Sequence, residues 1–512
     1  MTYASRPSDL MPYPAGGRKP HAIVIGSGFG GLAAAIRLGA KGYRVTVVER
    51  LEQAGGRASV FRQDGFTFDA GPTIVTAPFV FQELWELCGK RFEDYVDLRK
   101  MDPFYKIHFD DGRTFTVSDD PEQMRAEIAK FNPDDLPGYE RYLKDSEACY
   151  YVGFEGLGLI PFSKVSTMLA ALPRLGYLRA DRSVFQHAKC HIKDPHVRIA
   201  LSFHPLFIGG NPLRVTSVYC LIAYLERQWG VHFTMGGTGA LVQAMVDLME
   251  EQGGSLRLNE EVEEILVDDG AARGVRLKSG QIMPADIVVS NADPAWTYGK
   301  LLPKQHIQRW SERKIDNQHY SMSLFVWYFG TKRRYDDVEH HSLVLGPRYE
   351  ELLKDIFDRK ILAEDFSLYI HRPTATDPSL APDGCDAFYA LSPVPHLGSG
   401  TDWAKEGERY RKAIEERLEA TILPGLSKEI VTSKIITPVD FQDRLLSYHG
   451  AAFGMEPRIT QSAWFRPHNK SEEVRDLYMV GAGTHPGAGL PGVVTSAKIV
   501  ADMIPDAVSV RV

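Results

Sequence analysis

Two glycine-rich stretches lie near opposite ends of the sequence, and both have the composition of loops that bring a ligand close to the backbone. The first, IVIGSGFGG at residues 23–31, has the spacing G-x-G-x-x-G, formed by Gly26, Gly28 and Gly31. In dinucleotide-binding units such glycines allow a tight turn, close approach of a pyrophosphate, and close packing of a helix on a strand. The second, GAGTHPGAGLPGV, begins at Gly481. The first loop therefore predicts a nucleotide site, and the second needs a separate explanation.

The residues around the first loop predict the elements that such a site requires. The apolar run His21–Ile25 suits a buried parallel strand, and residues 32–36 suit the start of a helix. The N-terminus of that helix offers unpaired N–H groups to phosphates. A second strand, residues 43–48, ends at an acid placed where a carboxylate binds a ribose hydroxyl. We expect nucleotide contacts from Gly26, Gly28, Phe29, Gly30, Gly31, Glu49 and Arg50.

A further glycine pair follows this acid, in Gly55-Gly56-Arg57. With its arginine it extends the phosphate contacts beyond those of an NAD site, and it resembles the GG motif of flavoproteins with two dinucleotide-binding domains. The sequence therefore predicts FAD, with Gly56 and Arg57 as phosphate or ring contacts. No cysteine follows Cys385, which excludes cysteinyl attachment of the flavin in the C-terminal region.

The second glycine loop is explained by the length of FAD. The first loop can hold only adenine, ribose and pyrophosphate, so another segment must bind the isoalloxazine ring. Residues 477–480 suit a strand, and the proline at residue 491 suits the first turn of a helix. The N-terminus of this helix would stabilise negative charge on the reduced ring. We expect flavin contacts from Gly481, Gly483, Pro491, Gly492 and Val493.

Several long motifs resemble those of the bacterial-type phytoene desaturases, the carotenoid dehydrogenases. The resemblance covers nearly the whole chain from about residue 20. It rests on the two loops and on DAGPT (69–73), LSFHPLFIGGNP (201–212), ERQWGVHFTMGGTGALVQ (226–243), AEDFSLYIHRP (363–373), LSPVPHLG (391–398) and QSAWFRPHN (461–469).

This resemblance implies a fold and a domain organisation. The fold class is α/β, a Rossmann-type FAD-binding domain like that of monoamine oxidase, with an interleaved α+β substrate domain and a helical lid. Residues 1–20 are expected to form a flexible tail. The FAD-binding domain is expected to comprise residues 21–95, 227–295 and 441–505, with backbone near Val262 contacting adenine. The substrate domain would use residues 96–120 and 296–440, and the lid residues 121–226.

The implied reaction is the successive dehydrogenation of 15-cis-phytoene to neurosporene or lycopene, with hydride transfer to flavin N5. The carbocation would be allylic, so we expect an apolar tunnel with few polar groups near the ring. His485 and His449 are the candidate proton carriers, although for each a hydrogen bond to loop backbone is the simpler interpretation. We expect a quinone or oxygen as electron acceptor, since no second, NAD(P)-specific unit is evident.

Composition excludes other classes of protein. The formal net charge of -7 argues against nucleic-acid binding. The five scattered cysteines suit buried or inert thiols in a reducing compartment. The run Asp336-Asp-Val-Glu-His-His341 is typical of a solvated turn, so we expect no metal ion.

No secretory signal or spanning helix is expected. Residues 154–182 are apolar and helix-prone, interrupted by Pro161 and Pro173, and accompanied by basic residues. Such a segment suits either packing on the substrate domain or a bilayer interface. A hydrocarbon substrate favours the second, so we expect a peripheral protein on the cytoplasmic side of the cell membrane.

Three alternatives share the fold: a non-covalent amine oxidase, a desaturase or isomerase of another carotenoid such as a hydroxy- or methoxyneurosporene, and a flavin-free isoprenyl-binding protein. The amine oxidase would not explain the long carotenoid-type motifs, and the isoprenyl-binding proteins have degraded glycine loops. The second alternative stays open, because only the tunnel would differ.

Overall fold

The computed structural model describes residues 18–509. Most of the expected tail, residues 1–17, lies outside the described residues. The end of that segment is attached to the fold: Arg18 donates a hydrogen bond to Asp286 over 3.0 Å, and the carbonyl of Pro20 accepts one from the N–H of Arg44.

The strands of the described residues are β1 (His21–Ile25), β2 (Arg44–Val48), β3 (Val60–Gln63), β4 (Phe66–Asp69), β5 (Leu98–Lys100), β6 (Tyr105–His108), β7 (Thr114–Val117), β8 (His232–Thr234), β9 (Ser255–Arg257), β10 (Val262–Asp268), β11 (Ala271–Leu277), β12 (Ile282–Pro284), β13 (Ile287–Ser290), β14 (Ser323–Thr331), β15 (His341–Val344), β16 (Leu368–His371), β17 (Asp386–Val394), β18 (Ile430–Ile436) and β19 (Leu477–Met479).

The α-helices are α1 (Phe29–Ala40), α2 (Phe79–Leu87), α3 (Pro121–Phe131), α4 (Leu136–Cys149), α5 (Val165–Tyr177), α6 (Val184–His191), α7 (Pro195–Ser202), α8 (Leu221–Trp229), α9 (Thr238–Glu251), α10 (Pro294–Trp296), α11 (Glu312–Asp316), α12 (Tyr349–Lys354), α13 (Trp403–Ala420), α14 (Pro438–Asp443) and α15 (Leu490–Met503). None of the helices within residues 18–509 is long and apolar enough to cross a membrane.

A five-stranded parallel sheet, in the order β19-β13-β1-β2-β9, forms the nucleotide-binding part. Strand β1 is buried on both faces, as its continuous apolar sequence predicts. Ala22 and Val24 pack in the core that includes α1, whereas Ile23 and Ile25 face the core with the sheet β10-β11-β12. The two-sided burial fixes β1 in the middle of the sheet, with its carboxyl end at the first glycine loop.

A seven-stranded sheet, in the order β18-β14-β17-β16-β15-β6-β7, forms the second part; only β15 and β6 pair in parallel. Its longest strands pair in a continuous register from Ser323↔Val394 to Thr331↔Asp386. Along β14, Phe325 and Trp327 pack against α13, while Val326 and Tyr328 point to the opposite face. Strand alternation therefore gives this sheet one core face and one cavity face.

The five parallel strands all fall in the three segments expected for the FAD-binding domain, and the strands of the seven-stranded sheet fall in residues 96–120 and 296–440. The short pair β5–β8 links the two parts. The exact domain boundaries stay a prediction.

Two local expectations were wrong. Helix α5 continues through Pro173 instead of breaking there. The run 336–341 is only partly a solvated turn, because His340 and His341 are buried and His341 opens β15. The five cysteines are free thiols, of which Cys149 and Cys220 are buried and Cys190 is exposed.

Candidate functional site

A cavity of about 580 Å³ connects the parallel sheet to the cavity face of the seven-stranded sheet. At one end it is lined by the first glycine loop and the strand ends of the parallel sheet. At the other it reaches apolar side chains of α5 and of the antiparallel strands, such as Met168, Leu175, Val326 and Leu343. One continuous space therefore joins the predicted nucleotide site to the predicted substrate region.

The first glycine loop has the geometry of an anion-binding turn. Gly26 has φ +90°, which favours glycine, and Gly28 precedes α1 without any side chain capping the helix. The first turn of α1 carries no acidic residue. The N–H groups at the start of α1 are therefore available to bind a ligand. The cavity beside them is lined by Gly26, Gly28, Phe29 and Gly30.

Glu49 is buried at the carboxyl end of β2, as its position in the sequence predicts. One carboxylate oxygen accepts hydrogen bonds from the backbone N–H of Ser27 (2.9 Å) and from its hydroxyl (2.8 Å), and the other accepts from the N–H of Leu51 (2.9 Å). These bonds hold the carboxylate beside the first loop. Glu49 and the adjacent Arg50 both line the cavity, where a ribose would meet the acid.

The second glycine pair packs on the first loop. Gly28 and Gly55 form a parallel β-bridge, and Gly55 and Gly56 both have positive φ, +110° and +54°. Gly56 lines the cavity. Because Gly28 and Gly55 pair directly, the two motifs form one surface at the cavity wall.

Arg57 is a partly buried cation at this wall. Its Nη2 donates to Ser447 over 2.7 Å, while its Nε has no hydrogen-bond partner among the described residues. Burial lowers the pKa of Arg57, and burial also raises the pKa of Asp293, which lines the same cavity. A buried N–H without a partner is costly unless a ligand supplies an acceptor.

The second loop brings another helix N-terminus to the cavity. Gly489, with φ +99°, precedes α15, and no side chain caps this helix either. Pro491 lies in its first turn, as predicted, and Pro491, Gly492 and Val493 line the cavity. Both helices therefore present uncapped N-termini to one space, which explains why glycine loops occur at both ends of the sequence.

Asn291, which the sequence analysis did not identify as a site residue, lies between the two loops. A Cβ atom added to Gly28 would lie 2.9 Å from its Nδ2, and one added to Gly481 would lie 2.5 Å from its Oδ1. Asn291 and Asp293 line the cavity just beyond β13. Both follow β13 at the carboxyl end of the parallel sheet, where ligands bind in such sheets.

Three predicted contacts have packing roles instead of lining the cavity: Gly31, Gly481 and Gly483. A Cβ on Gly31 would lie 2.0 Å from the carbonyl oxygen of Gly26, and one on Gly483 would lie 2.1 Å from Pro294. The N–H of Gly481 donates to Ser496 over 2.8 Å. These glycines allow close backbone approach, while Ala482 is the residue of this turn that reaches the cavity. Val262, by contrast, does line it.

The two candidate histidines differ in position. His485 lines the cavity; its Nε2 donates to the carbonyl of Leu157 over 3.0 Å, and its Nδ1 has no partner among the described residues. Burial lowers the pKa of His485 to about 4. His449 does not line the cavity and stacks on His396 at a centroid distance of 5.6 Å. The structure therefore separates His449 from the site.

Polar side chains in the substrate end are mostly paired with one another. The hydroxyl of Thr73 lies 2.7 Å from that of Tyr389 and 3.2 Å from that of Tyr369. The carboxylate of Glu226 accepts from the hydroxyl of Tyr105 and lies 3.2 Å from Nε2 of His204. Most of the remaining lining is apolar. This arrangement suits a hydrocarbon better than a charged substrate.

The residues fit an FAD molecule. Two uncapped helix N-termini, a carboxylate oriented at the end of β2, and an unpartnered Arg57 Nε all face one cavity. The N–H groups of the two helix N-termini suit diphosphate and flavin carbonyl oxygens, and the carboxylate suits a ribose hydroxyl.

Comparison with known proteins agrees with this geometry. The family described as flavin containing amine oxidoreductase matches residues 29–505. A neurosporene-forming phytoene desaturase of Rhodobacter capsulatus is 53% identical over 492 residues, covering 95% of this chain and 94% of that protein. A lycopene-forming phytoene desaturase of Pseudescherichia vulneris is 48% identical over 483 residues, covering 94% and 98%.

Solved structures show the same fold. A putrescine oxidase bound to putrescine superimposes with a TM-score of 0.64 at 13% identity, covering 95% of this chain and 99% of that one. The cyclohexylamine oxidase of Brevibacterium oxydans superimposes with a TM-score of 0.58 at 16% identity, with the same coverage.

Proposed function

This chain belongs to the flavin-containing amine oxidoreductase family, and we propose that it is an FAD-dependent phytoene desaturase of carotenoid biosynthesis. The cofactor is FAD. The observation that carries the proposal is the cavity of about 580 Å³ that leads from the two glycine loops into apolar side chains. A long hydrocarbon can enter such a space without leaving buried polar groups unpaired, since Thr73, Tyr369 and Tyr389 already bond to one another.

Each dehydrogenation removes two hydrogens from a saturated carbon pair, one as a hydride and one as a proton. FAD, when bound, supplies the acceptor for the hydride. The chain's own residues bind the nucleotide through the N-terminus of α1 and the carboxylate of Glu49. The apolar walls orient the polyene and exclude water from the reacting carbons.

We assign to His485 the role of accepting the proton that the substrate loses. A carbonyl oxygen can only accept, so the bond to Leu157 fixes the Nε2–H tautomer and leaves the lone pair on Nδ1. Nδ1 is buried and without a partner among the described residues. A pKa of about 4 makes it a weak base, and a weak base suffices because an allylic carbocation loses a proton readily.

A peripheral contact with the cytoplasmic side of the cell membrane is part of the proposal. Helix α5 exposes Val165, Leu169 and Leu172 at helical spacing, with 53%, 59% and 49% of each residue exposed, and lines the cavity with Met168. Exposed Lys164 and Arg174 accompany this face. An apolar face beside basic groups suits the interface of an anionic bilayer, and a helix between lipid and cavity gives phytoene a short path.

The electron acceptor that we propose is a quinone or oxygen. In residues 18–509 the five-stranded sheet is the one sheet whose strands are all parallel. The glycine loops at its strand ends are those that we assign to FAD. This supports an acceptor that does not need a second dinucleotide-binding unit. Neurosporene and lycopene are both compatible products.

The test is to incubate the FAD-loaded protein with liposomes that contain 15-cis-phytoene, under air or with an added quinone, and to record spectra of the extracted carotenoids. Long-wavelength bands are expected, and their position counts the double bonds introduced. A protein that binds FAD and liposomes yet leaves phytoene colourless contradicts the proposal. Neurosporene and its hydroxy and methoxy derivatives would then be tested in the same liposomes.

A further inference from the structure

Two helices of the helical part bring three metal-ligating side chains together away from the cavity. His187 and His191 lie one turn apart on α6, and Asp145 faces them from α4. None of the three lines the cavity. This Asp–His–His cluster is therefore separate from the FAD and substrate site.

The ligand atoms of the three residues all lie within 4.8 Å of one another, and the two carboxylate–imidazole distances match those between ligands of one ion. Oδ2 of Asp145 lies 3.3 Å from Nε2 of His187 and 3.2 Å from Nε2 of His191. Bonds of about 2.0–2.1 Å in a tetrahedral zinc site place neighbouring ligand atoms about 3.3 Å apart. The spacing i, i+4 on one helix puts both imidazoles on the same face.

Hydrogen bonding does not explain the cluster. All four ring nitrogens of His187 and His191 are buried without a hydrogen-bond partner among the described residues, and the Asp145 carboxylate meets them as ion-pair contacts of 3.3 and 3.2 Å. The side chain of His187 is 2% exposed, so bulk solvent does not reach its ring. Buried nitrogens without partners cost free energy unless a ligand occupies them.

We propose that Asp145, His187 and His191 bind Zn²⁺ or a related divalent transition metal. Two imidazoles and one carboxylate form a ligand set suited to such ions. Asp145 is 44% exposed, so the fourth position opens toward solvent. The ring of Tyr142 packs on both imidazoles, with centroid distances of 5.8 and 6.2 Å, and orients them.

A second histidine cluster is more fully hydrogen-bonded, and Nε2 of His341 is its buried ring nitrogen without a partner among the described residues. Nε2 of His340 and His371 are 3.0 Å apart, and the Nδ1 atoms of His340 and His341 pair with hydroxyls of Thr376 and Tyr369 at 2.6 and 2.7 Å. All three rings are buried, and no carboxylate belongs to the cluster. A divalent cation there would lack both a counter-charge and water. The Asp–His–His cluster has the counter-charge, and its carboxylate is 44% exposed.

The metal would connect α6 to α4. This connection lies close to α5, the helix proposed to contact the membrane, because α6 begins seven residues after the end of α5. Arg141, Arg179 and Arg182 place positive charge near the imidazoles. Their repulsion lowers the affinity for a cation, so we expect moderate binding and a role in stabilising the helical part.

The experiment uses the full FAD-loaded chain without an affinity tag, treated with a chelator and dialysed. Zn²⁺ binding is measured by calorimetry, and Co²⁺ binding by difference absorption at wavelengths longer than those of FAD. One ion per chain and a raised Tm are expected. Asp145→Asn and His191→Gln should each weaken binding by at least about tenfold, while their FAD absorbance reports that they are folded.

Two controls make the test specific. His196→Gln removes a histidine that also contacts carboxylates, Asp111 and Asp194, but has no second imidazole beside it. Cys190→Ser removes the exposed thiol next to His191. Both should keep wild-type affinity. Absence of one-to-one binding to the wild type, or equal affinity in the wild type and both cluster variants, overturns the proposal.

Discussion

Gly30 in the first glycine loop and Gly481 in the second are in direct contact: a Cβ atom added to Gly30 would lie 3.0 Å from both the Cα and the nitrogen of Gly481. The same atom would lie 2.7 Å from Oδ1 of Asn291. The loop assigned to the nucleotide and the loop assigned to the flavin thus meet at two residues that lack side chains. The separation of the two uncapped helix N-termini is fixed at this contact.

Gly30→Ala is expected to separate the two loops and to reduce FAD binding. The added methyl group meets backbone on one side and an amide on the other, so neither neighbour can move freely. The flavin-to-protein absorbance ratio after purification measures the loss. Gly176→Ala, in an open position on α5, is the matched control and should retain full FAD content. Normal FAD content in both variants would contradict the contact.

Glu49→Gln is expected to weaken FAD binding by about 1.5–3 kcal/mol, the range for hydrogen bonds to a charged group. The carboxylate accepts from Ser27 and Leu51, and the amide would have to present an N–H to one of these donors. Quenching of flavin fluorescence on titration into apoprotein gives the Kd. Glu52→Gln, an exposed acid that pairs with Arg444, should leave the Kd unchanged.

His485→Phe is expected to lower the rate of desaturation by roughly 10²-fold, the lower end of the range for general base catalysis, with FAD retained. Because the pKa of His485 is about 4, its contribution should be constant from pH 8 to pH 6 and decline as pH falls toward 4. His449→Phe, outside the cavity, should keep the wild-type rate. A wild-type rate in His485→Phe would remove this residue from the mechanism.

Leu169→Glu and Leu172→Glu are expected to reduce binding to anionic liposomes, because each places a charge on the exposed apolar face of α5. Flotation with liposomes measures the bound fraction, and turnover of phytoene in the same liposomes should fall with it. Ile361→Glu and Val431→Glu, half-exposed apolar residues elsewhere, are the controls. Equal losses in all four variants would mean that α5 is not the contact.

Stability is expected to fall as pH decreases from 6.5 to about 4. Burial lowers the pKa of His340 to about 3. It lowers the pKa of three other histidines, His108, His396 and His485, to about 4. The unfolded chain therefore binds more protons in this window, and the free energy of unfolding drops by up to roughly 1.4 kcal/mol per pH unit for each such group.

Asp69, Asp293 and Glu456 act in the opposite direction, because burial raises the pKa of each of these carboxyl groups, to about 6 for Asp69. Urea unfolding of metal-free protein at pH 7.5, 6.0 and 5.0 measures the net effect. A free energy of unfolding that does not fall between pH 7.5 and pH 5.0 would contradict the prediction.

The sequence by itself determined the elements that depend on neighbouring residues. Strand β1, the glycine turn, α1 and the acid at the end of β2 follow from apolar runs and from glycines where backbone must turn or approach closely. The same holds for the proline at the start of α15. These features are local in the chain, so periodicity and residue type suffice to place them.

Tertiary structure alone decided which distant residues meet. It placed Asn291 between the loops. It also placed His485 at the cavity wall and His449 away from it, and it made Gly481 and Gly483 packing positions. It also buried His340 in what the charge pattern indicated as a solvated turn, and it assembled Asp145 with two histidines of another helix. Burial and side-chain partners depend on contacts between segments far apart in sequence, and a single sequence does not encode these in any short pattern.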